Sequence, residues 1–301
     1  MNIHLENVNL QSTSGPNHFA SKLIKYMGAS FDSNKTPDAR LCFIETYNPK
    51  IENVPLIQRL DGIYFNLEQP YKLQNANIKK TYKEADGVIF QSDFNKELTT
   101  KYFGEHQNGV VIHNGADVEY VKAAPVLKNP VIEKYENVWC CASSWRPHKR
   151  LAENIRYFLE HSSEKDCLMI AGEHDGPMPK LDRVYYVGKI SVLQLVALYK
   201  KSKYFLHLAW LDHCPNVVVD ARASGCQIIC SSAGGTKEIA GPDAIVIEED
   251  EWDFKPVKLY EPPVMDFSKK LKNDYNNDYD MNGVAKKYEN FLISTKRKLD
   301  N

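Results

Sequence analysis

Residues 212–238 of this 301-residue chain read DHCPNVVVDARASGCQIICSSAGGTKE. This stretch holds two carboxylates, Asp212 and Asp220, separated by seven residues. The pattern predicts a helix over residues 216–224, ended by Gly225, and then a strand over residues 227–230. Asp212 would then lie in the loop before the helix, and Asp220 one turn inside it.

Two adjacent glycines, Gly234 and Gly235, follow the predicted strand and precede a short predicted helix. Glycines in this position let backbone amides approach a phosphate group closely. Each feature alone has a plainer interpretation, because Gly-Gly also forms ordinary turns. Asp212 could likewise be a helix cap, and Asp220 a surface acid. The ordered combination is more specific and indicates a site for a phosphorylated ligand.

Outward from this stretch, strands alternate with helices, which is typical of parallel sheets covered by helices. We therefore predict an α/β fold of two Rossmann-like domains facing across a cleft. The expected domains are residues 1–118 and 138–280, joined by a linker over 119–137. Residues 281–301 are expected to hold a terminal helix that packs back on the first domain. Strands are predicted at 41–44, 56–60, 88–91, 110–113, 138–142, 167–171, 204–208 and 227–230, and helices at 92–103, 149–161, 191–201, 216–224 and 284–298. An earlier helix is predicted to begin at Ser14-Gly15-Pro16, with Phe19, Leu23 and Met27 on one face.

The composition excludes several classes of protein. The formal net charge is −1, so no overall basic field favours nucleic acid or an anionic membrane. No apolar run is as long as a transmembrane helix, which needs about 18 residues or more. The seven cysteines form no CxxC pair, and we expect them to be small core residues of a cytoplasmic protein. The nine histidines show no ligand spacing, and Asp278-Tyr279-Asp280 follows no predicted strand, so neither a metal nor a cofactor is expected.

The 212–238 segment resembles the signature of glycosyltransferase family 4, a group of retaining enzymes with the GT-B fold. That signature has a Glu, seven residues, a second Glu, a helix end of small residues, a strand and Gly-Gly-x-x-Glu; here Glu238 is in step with its last residue. The resemblance implies that Asp212 addresses the donor sugar and Asp220 the nucleotide ribose. The backbone amides implied at the diphosphate are those of Asn216, Val217, Gly234, Gly235 and Thr236.

Weaker matches cover most of the remaining chain. Residues 144–149, SWRPHK, resemble the loop whose arginine and lysine grip the donor phosphates, which implies Arg146 and Lys149. The Ser14-Gly15-Pro16-Asn17 segment resembles the glycine loop that faces the donor, which implies Gly15. Asp61, after a predicted strand, stands where many members have a histidine, and could orient the acceptor hydroxyl or take its proton. It could equally be a turn residue before Gly62.

The chain also departs from the family pattern. Both family glutamates are aspartates here, one methylene shorter. Arg146 lies three residues before Lys149, whereas the family arginine usually lies five before. The expected activity is metal-independent transfer of a sugar, with retention, from a nucleoside-diphosphate sugar to an acceptor hydroxyl. The alternatives are a non-catalytic protein that binds sugar nucleotides and an epimerase of the same fold.

Overall fold

A computed structural model describes residues 1–12 and 14–300 of the chain. The chain forms two compact units. The first unit contains Met1–Gly115, Phe254–Val257 and the residues from Asp278 onwards. The second unit contains Ala116–Asp253 and Lys258–Asn277. Each unit is built on a sheet whose strands are all or nearly all parallel, so the α/β prediction is confirmed.

The first unit has a five-stranded sheet in which every neighbouring pair is parallel and the strands lie in chain order. Such connections need crossovers, which helices supply. The strands are β1 Ile3–Glu6, β2 Ala39–Phe43, β3 Leu56–Leu60, β4 Gly87–Phe90 and β5 Gly109–Val111, and the helices are α1 Gly15–Tyr26, α2 Tyr71–Glu84 and α3 Asp93–Phe103.

The second unit has a seven-stranded sheet in the order β12-β11-β10-β9-β6-β7-β8, with β12 alone antiparallel to its neighbour. The strands are β6 Asn137–Ala142, β7 Asp166–Ala171, β8 Val184–Gly188, β9 Tyr204–His207, β10 Gln227–Ser231, β11 Ile245–Ile247 and β12 Lys270–Leu271. The helices are α4 Val118–Ala123, α5 Pro130–Glu133, a 3-10 turn Pro147–Lys149, α6 Leu151–His161, α7 Val192–Lys201, α8 Asn216–Ala223 and α9 Thr236–Ile239.

The strand order of the second sheet reverses between β6 and β9. From β6 the chain moves outward through β7 and β8, then returns to place β9 on the other side of β6. The loops that leave β6 and β9 therefore diverge to opposite sides. In open parallel sheets, ligands bind beyond the carboxyl ends of the strands at such a switch point.

The last helix, α10 Met281–Asp300, belongs to the first unit and completes its core. Met281, Tyr288 and Leu292 are fully buried on one face of this helix, together with Phe19 and Leu23 of α1. Burying a large apolar side chain stabilises a fold by about 1.5–3 kcal/mol. Helix α10 is thus part of the first unit's core.

Several predicted elements match the structure, and others differ. Strand β3 spans the predicted residues 56–60. Helix α3 is capped by the Ser92 side chain, which accepts from the Asn95 amide, and ends at Gly104. Residues 119–137, predicted as a linker, include most of α4 and all of α5, both in the second unit. The predicted 149–161 helix is divided at Arg150, which has a left-handed φ of 52°.

All seven cysteines are buried and free, as the composition predicts. None of the helices in the described part of the chain combines the length and hydrophobicity that a bilayer crossing requires.

Candidate functional site

The candidate site lies at the carboxyl edge of the second sheet, at its switch point. Lys149 ends the 3-10 turn that follows β6, and Asp212 lies in the loop that follows β9. The topology therefore brings two residues 63 positions apart to the same place. Lys149 Nζ lies 2.5 Å from Asp212 Oδ2, and their side chains are 19% and 13% exposed.

The Asp212 carboxylate is held by three donors. Its Oδ2 accepts from Lys149 and also from His207 Nε2 at 2.8 Å. Its Oδ1 accepts from the His213 backbone N–H at 3.0 Å. His207 is the last residue of β9 and is 4% exposed, so its ring is a fixed support rather than a mobile surface group. A carboxylate has about four acceptor sites, so capacity remains for a ligand hydroxyl.

The charges in this cluster follow from burial and pairing. Burial alone would raise the pKa of Asp212, but Lys149 and His207 hold that pKa well below its usual range. Burial lowers the pKa of His207, against the effect of Asp212, and His207 is neutral near pH 7. His207 must therefore carry its proton on Nε2 to donate to the carboxylate. Burial, with Lys149 nearby, lowers the pKa of His148 to about 3.

A buried ion pair fixes the loop that carries Lys149. Arg150 adopts its left-handed conformation while its guanidinium donates to both oxygens of Glu249, at 2.8 and 2.7 Å. It also donates to the Pro263 carbonyl at 2.9 Å. The two site loops are joined directly, because Trp210 N–H donates to the His148 carbonyl at 2.7 Å. Lys149 and Asp212 are therefore held by backbone contacts as well as by their own ion pair.

Gly234 packs directly against the backbone of Asp212. The two residues form a parallel bridge, and Gly234 has a φ of +99°. A Cβ atom at this position would lie 2.6 Å from the Asp212 carbonyl oxygen, so a larger residue would displace the loop. The Gly235 N–H donates to the same carbonyl at 2.8 Å. This amide, expected at a phosphate, is therefore engaged inside the protein.

Thr236 begins the short helix α9 and is fully buried. Within the described structure, its hydroxyl oxygen has no hydrogen-bond partner. A buried polar group without a partner costs about 1–3 kcal/mol, so a ligand that supplies one gains correspondingly. Thr236 is the one residue of 234–236 whose side chain can form a hydrogen bond.

Helix α8 starts at Asn216, as predicted, and Pro215 precedes it without a side-chain cap. The amides of Asn216 and Val217 thus belong to the first turn, where the helix dipole favours an anion. Asp220 is the fifth residue of the helix and is half-buried. Arg146 immediately precedes the 3-10 turn and its side chain is exposed.

Two predicted site residues lie in the first unit. Gly15 is the first residue of α1, directly after Ser14. The Ser14 hydroxyl does not cap the helix backbone and instead accepts from the Asn17 side chain at 2.9 Å. Asp61 follows β3 and pairs with Arg59, so it is not merely a turn residue before Gly62.

Sequence reasoning missed the histidines of the site. Only the position of His207 at the end of a strand signalled a functional role, and nothing in the local pattern predicted its bond to Asp212. His148, within the 144–149 segment, was not predicted as a site residue, yet it is buried and its ring stacks on Tyr260 at 5.6 Å between centroids.

Comparison with known proteins supports the fold through structure alone. No family model and no curated protein matches the sequence. The crystal structure of HepE from Anabaena, in complex with UDP and glucose, is 12% identical, with a TM-score of 0.61 over 100% of this chain and 98% of that chain. AviGT4, a glycosyltransferase involved in avilamycin A biosynthesis, is 12% identical, with a TM-score of 0.64 over 99% and 98%. This chain has the GT-B fold.

WaaG, a glycosyltransferase involved in lipopolysaccharide biosynthesis, is a further match. It is 10% identical, with a TM-score of 0.57 over 100% of this chain and 95% of that chain. The GT-B similarity therefore extends over nearly the whole length of these three proteins and this chain, although few residues are shared.

Proposed function

We propose that this chain is a retaining glycosyltransferase that moves a sugar from a nucleoside-diphosphate sugar to an acceptor hydroxyl. The observation that carries the proposal is the Lys149–Asp212 ion pair at the switch point of the second sheet. The Lys149 cation suits a diphosphate, and the neighbouring Asp212 carboxylate can accept hydrogen bonds from sugar hydroxyls, so the pair matches a ligand that joins a diphosphate to a sugar. HepE, of the same fold, was crystallised with UDP-glucose, which supports a nucleotide sugar as donor.

Lys149 and Arg146 are assigned to the donor diphosphate. As the bond between the anomeric carbon and the phosphate oxygen breaks, negative charge grows on the departing diphosphate. The Lys149 ammonium, carried on a loop that backbone contacts hold in place, stabilises that charge. The amides of Asn216 and Val217 add the first turn of α8 to the same task.

Asp212 is assigned to the hydroxyls of the donor sugar. Its carboxylate stays ionised, because Lys149 and His207 both donate to it. When Lys149 turns towards the diphosphate, His207 and the His213 amide still hold the carboxylate in place. Asp220, one turn inside α8, is assigned to the ribose hydroxyls, as acids are in other Rossmann-like folds.

The glycine segment is assigned a structural as well as a binding role. Gly234 permits the close approach to Asp212, and Gly235 donates to the Asp212 carbonyl. Thr236 supplies a buried hydroxyl for the donor. We assign the second unit to the donor for these reasons.

In the first unit, we assign Asp61 to the acceptor hydroxyl and, from the family resemblance, Gly15 to donor binding. The chain needs no metal in this proposal, because Lys149, Arg146 and backbone amides meet the phosphate charge, and it needs no cofactor. Seven free, buried cysteines favour the cytoplasm. Retention rests on the resemblance to family 4.

The proposal is tested with a panel of UDP-, GDP-, ADP- and CMP-sugars in the presence of EDTA. At least one donor should raise the melting temperature and be consumed in the presence of a hydroxyl acceptor, and NMR should show the anomeric configuration of the donor kept in the product. Binding without turnover would favour the non-catalytic alternative. Conversion of one nucleotide sugar into its epimer would favour the epimerase. Activity that EDTA abolishes and manganese restores would contradict a metal-free site.

A further inference from the structure

A fully buried arginine occupies the centre of the first unit. Arg59 lies on β3 and is 0% exposed. Its guanidinium carbon lies 4.2 Å from the ring centre of Phe19 and 4.9 Å from that of Phe43. A guanidinium placed over aromatic rings is attracted by their faces, and more strongly when water is excluded. The rings fix where this cation lies.

Hydrogen bonds fix the direction in which the guanidinium points. Arg59 Nε donates to the Tyr288 hydroxyl of α10 at 3.0 Å. Its Nη2 donates to Asn114 Oδ1 at 2.8 Å, and its Nη1 donates to Asp61 Oδ1. A planar guanidinium offers its donors in a rigid fork, so partners on two sides determine what the third side can reach. Here the third side is Asp61.

The Asp61 carboxylate is engaged through one oxygen. Its Oδ1 accepts from Arg59 and from Gln91 Nε2, the latter at 2.7 Å. Its Oδ2 is buried and has no hydrogen-bond partner in the part of the chain that the structure describes. Gln91 is itself held, because Asn114 donates to its side-chain oxygen at 3.1 Å. The network therefore fills one oxygen and leaves the other to a ligand.

A buried carboxylate oxygen without a donor is costly, and more so when the group is charged. Burial raises the pKa of Asp61, while its pairing with Arg59 opposes that effect. Asp61 follows β3 at the carboxyl edge of a parallel sheet, where such folds place ligand groups. The chemistry that matches a lone carboxylate oxygen here is a hydroxyl donor.

We propose that Tyr288 and Arg59 are positioning residues that hold Asp61 so that its Oδ2 receives the acceptor hydroxyl. The C-terminal helix α10 is then part of the acceptor site and not solely part of the core. This inference rests on the proposed glycosyl transfer. Tyr288 does not touch the acceptor, and it acts on Asp61 through the guanidinium.

Tyr288→Phe tests this inference, because it keeps the ring that packs on Phe19 and removes the hydroxyl that Arg59 uses. The matched control is Tyr82→Phe, which removes another buried tyrosine hydroxyl of the first unit, bonded to the Gly104 carbonyl at 2.9 Å. Both variants should melt a few degrees lower. Tyr288→Phe should also lower kcat by about 10-fold at saturating donor and acceptor, since misplaced groups cost turnover. Tyr82→Phe should keep its kcat.

A pH measurement separates positioning from a general loss of stability. Arg59 is the charged group that faces Asp61, and Tyr288 faces Arg59. A loosened Arg59 supports the carboxylate less, so Tyr288→Phe should raise the pKa of Asp61. Carbon-13 NMR of the aspartate carboxyl groups, assigned with Asp61→Asn, measures this pKa without any need for activity. Tyr82→Phe should leave the Asp61 titration unchanged.

The outcomes are distinct. If wild-type protein turns over no donor in the panel, the proposed function fails, and the Asp61 titration still decides whether Tyr288 positions this carboxyl group. If Tyr288→Phe keeps wild-type kcat, or leaves the pKa of Asp61 unchanged, the inference is overturned. Should Tyr288→Phe fail to fold, Asn114→Ser removes another partner of the same guanidinium and is judged by the same two measurements.

Discussion

The Lys149–Asp212 ion pair allows the effect of removing the lysine to be worked out from the structure. A charge-assisted hydrogen bond to a diphosphate contributes roughly 1.5–3 kcal/mol. Lys149→Ala should therefore weaken the binding of a free nucleoside diphosphate by about 10- to 100-fold, since about 1.4 kcal/mol is tenfold in affinity. In the free protein Lys149 Nζ already pairs with Asp212 Oδ2, 2.5 Å away. The diphosphate must therefore replace Asp212 as the partner of Lys149 or share Lys149 with it. That exchange places the expected loss towards the lower end of the range.

The same reasoning predicts that Asp212→Asn acts in the opposite direction on the free nucleotide. The substitution removes a negative charge beside the diphosphate and frees Lys149 from its competing partner. Nucleoside diphosphate should then bind several-fold more tightly, up to about 10-fold. Tighter product binding together with lower turnover would be hard to explain if Asp212 were only a surface acid or a helix cap.

Isothermal titration with UDP, GDP and ADP measures both effects on purified protein. The matched control is Lys165→Ala. Lys165 precedes β7 and forms an exposed ion pair, at 2.6 Å, with Glu136, which precedes β6. That pair lies at the opposite edge of the same sheet, so nucleotide affinity should not change. Unchanged affinity in Lys149→Ala would show that this loop is not in the site. Weaker binding in Asp212→Asn would refute the competition between carboxylate and diphosphate.

Three further predictions concern other residues of the second unit. Asp220→Asn should raise KM for the donor with little change in kcat, because a ribose contact is the same in substrate and transition state; steady-state kinetics with a large fall in kcat would contradict this role. Gly234→Ala should cost about 2–4 kcal/mol of unfolding free energy and lower turnover, because the new Cβ meets Asp212. Gly225→Ala, with a φ of +96° but nothing within 4 Å, should cost about 1–2 kcal/mol in the same urea titrations and keep turnover. Burial lowers the pKa of His148 to about 3 in the folded protein, below the unfolded value of 6.5, so the free energy of unfolding falls as the pH drops below 6.5. Between pH 7 and 4.5 the wild type should therefore lose about 2–3 kcal/mol more of this free energy than His148→Phe does. The same pH dependence in both proteins would refute the burial of His148 as a neutral group.

The parts of the fold that were predictable from sequence are those set by local patterns. The 56–60 segment, with its three aliphatic residues, and the Ser92 and Gly104 ends of α3 each carry their own signal. Strand β1 was not predicted, because its alternation of apolar and polar residues covers only four residues, at the edge of its sheet. Helix α2 was not predicted either, because it buries Asn75 and Thr81 beside Ile78, which hides its apolar face.

The parts that could not be predicted depend on contacts distant in sequence. Arg150 interrupts the predicted helix because its guanidinium is paired with Glu249, 99 residues away. The position of Asp212 beside Lys149 requires the strand order of the whole second sheet. His207 carries no motif, and its role appears only when the loop after β9 folds back over it.

The placement of the Gly-Gly segment shows a finer limit of the same kind. Adjacent glycines after a strand predict a close approach, and the structure has one. The partner, however, is the backbone of Asp212, with Gly235 donating to its carbonyl. The two glycines predict that another group packs closely against the backbone, but they do not identify that group.

We propose that this chain breaks a nucleotide-sugar bond at Asp212 and Lys149. This proposal is tested most directly by measuring nucleoside diphosphate release from the panel donor that stabilises the protein most, in EDTA, by wild type and by Asp212→Asn. We predict that the wild type releases nucleoside diphosphate when a hydroxyl acceptor is present, and more slowly when water is the acceptor. Asp212→Asn should be slower by roughly 100-fold, which corresponds to about 2.7 kcal/mol of transition-state stabilisation. Equal rates in the two proteins, or donor binding without any release by the wild type, would rule out this role of Asp212 and Lys149.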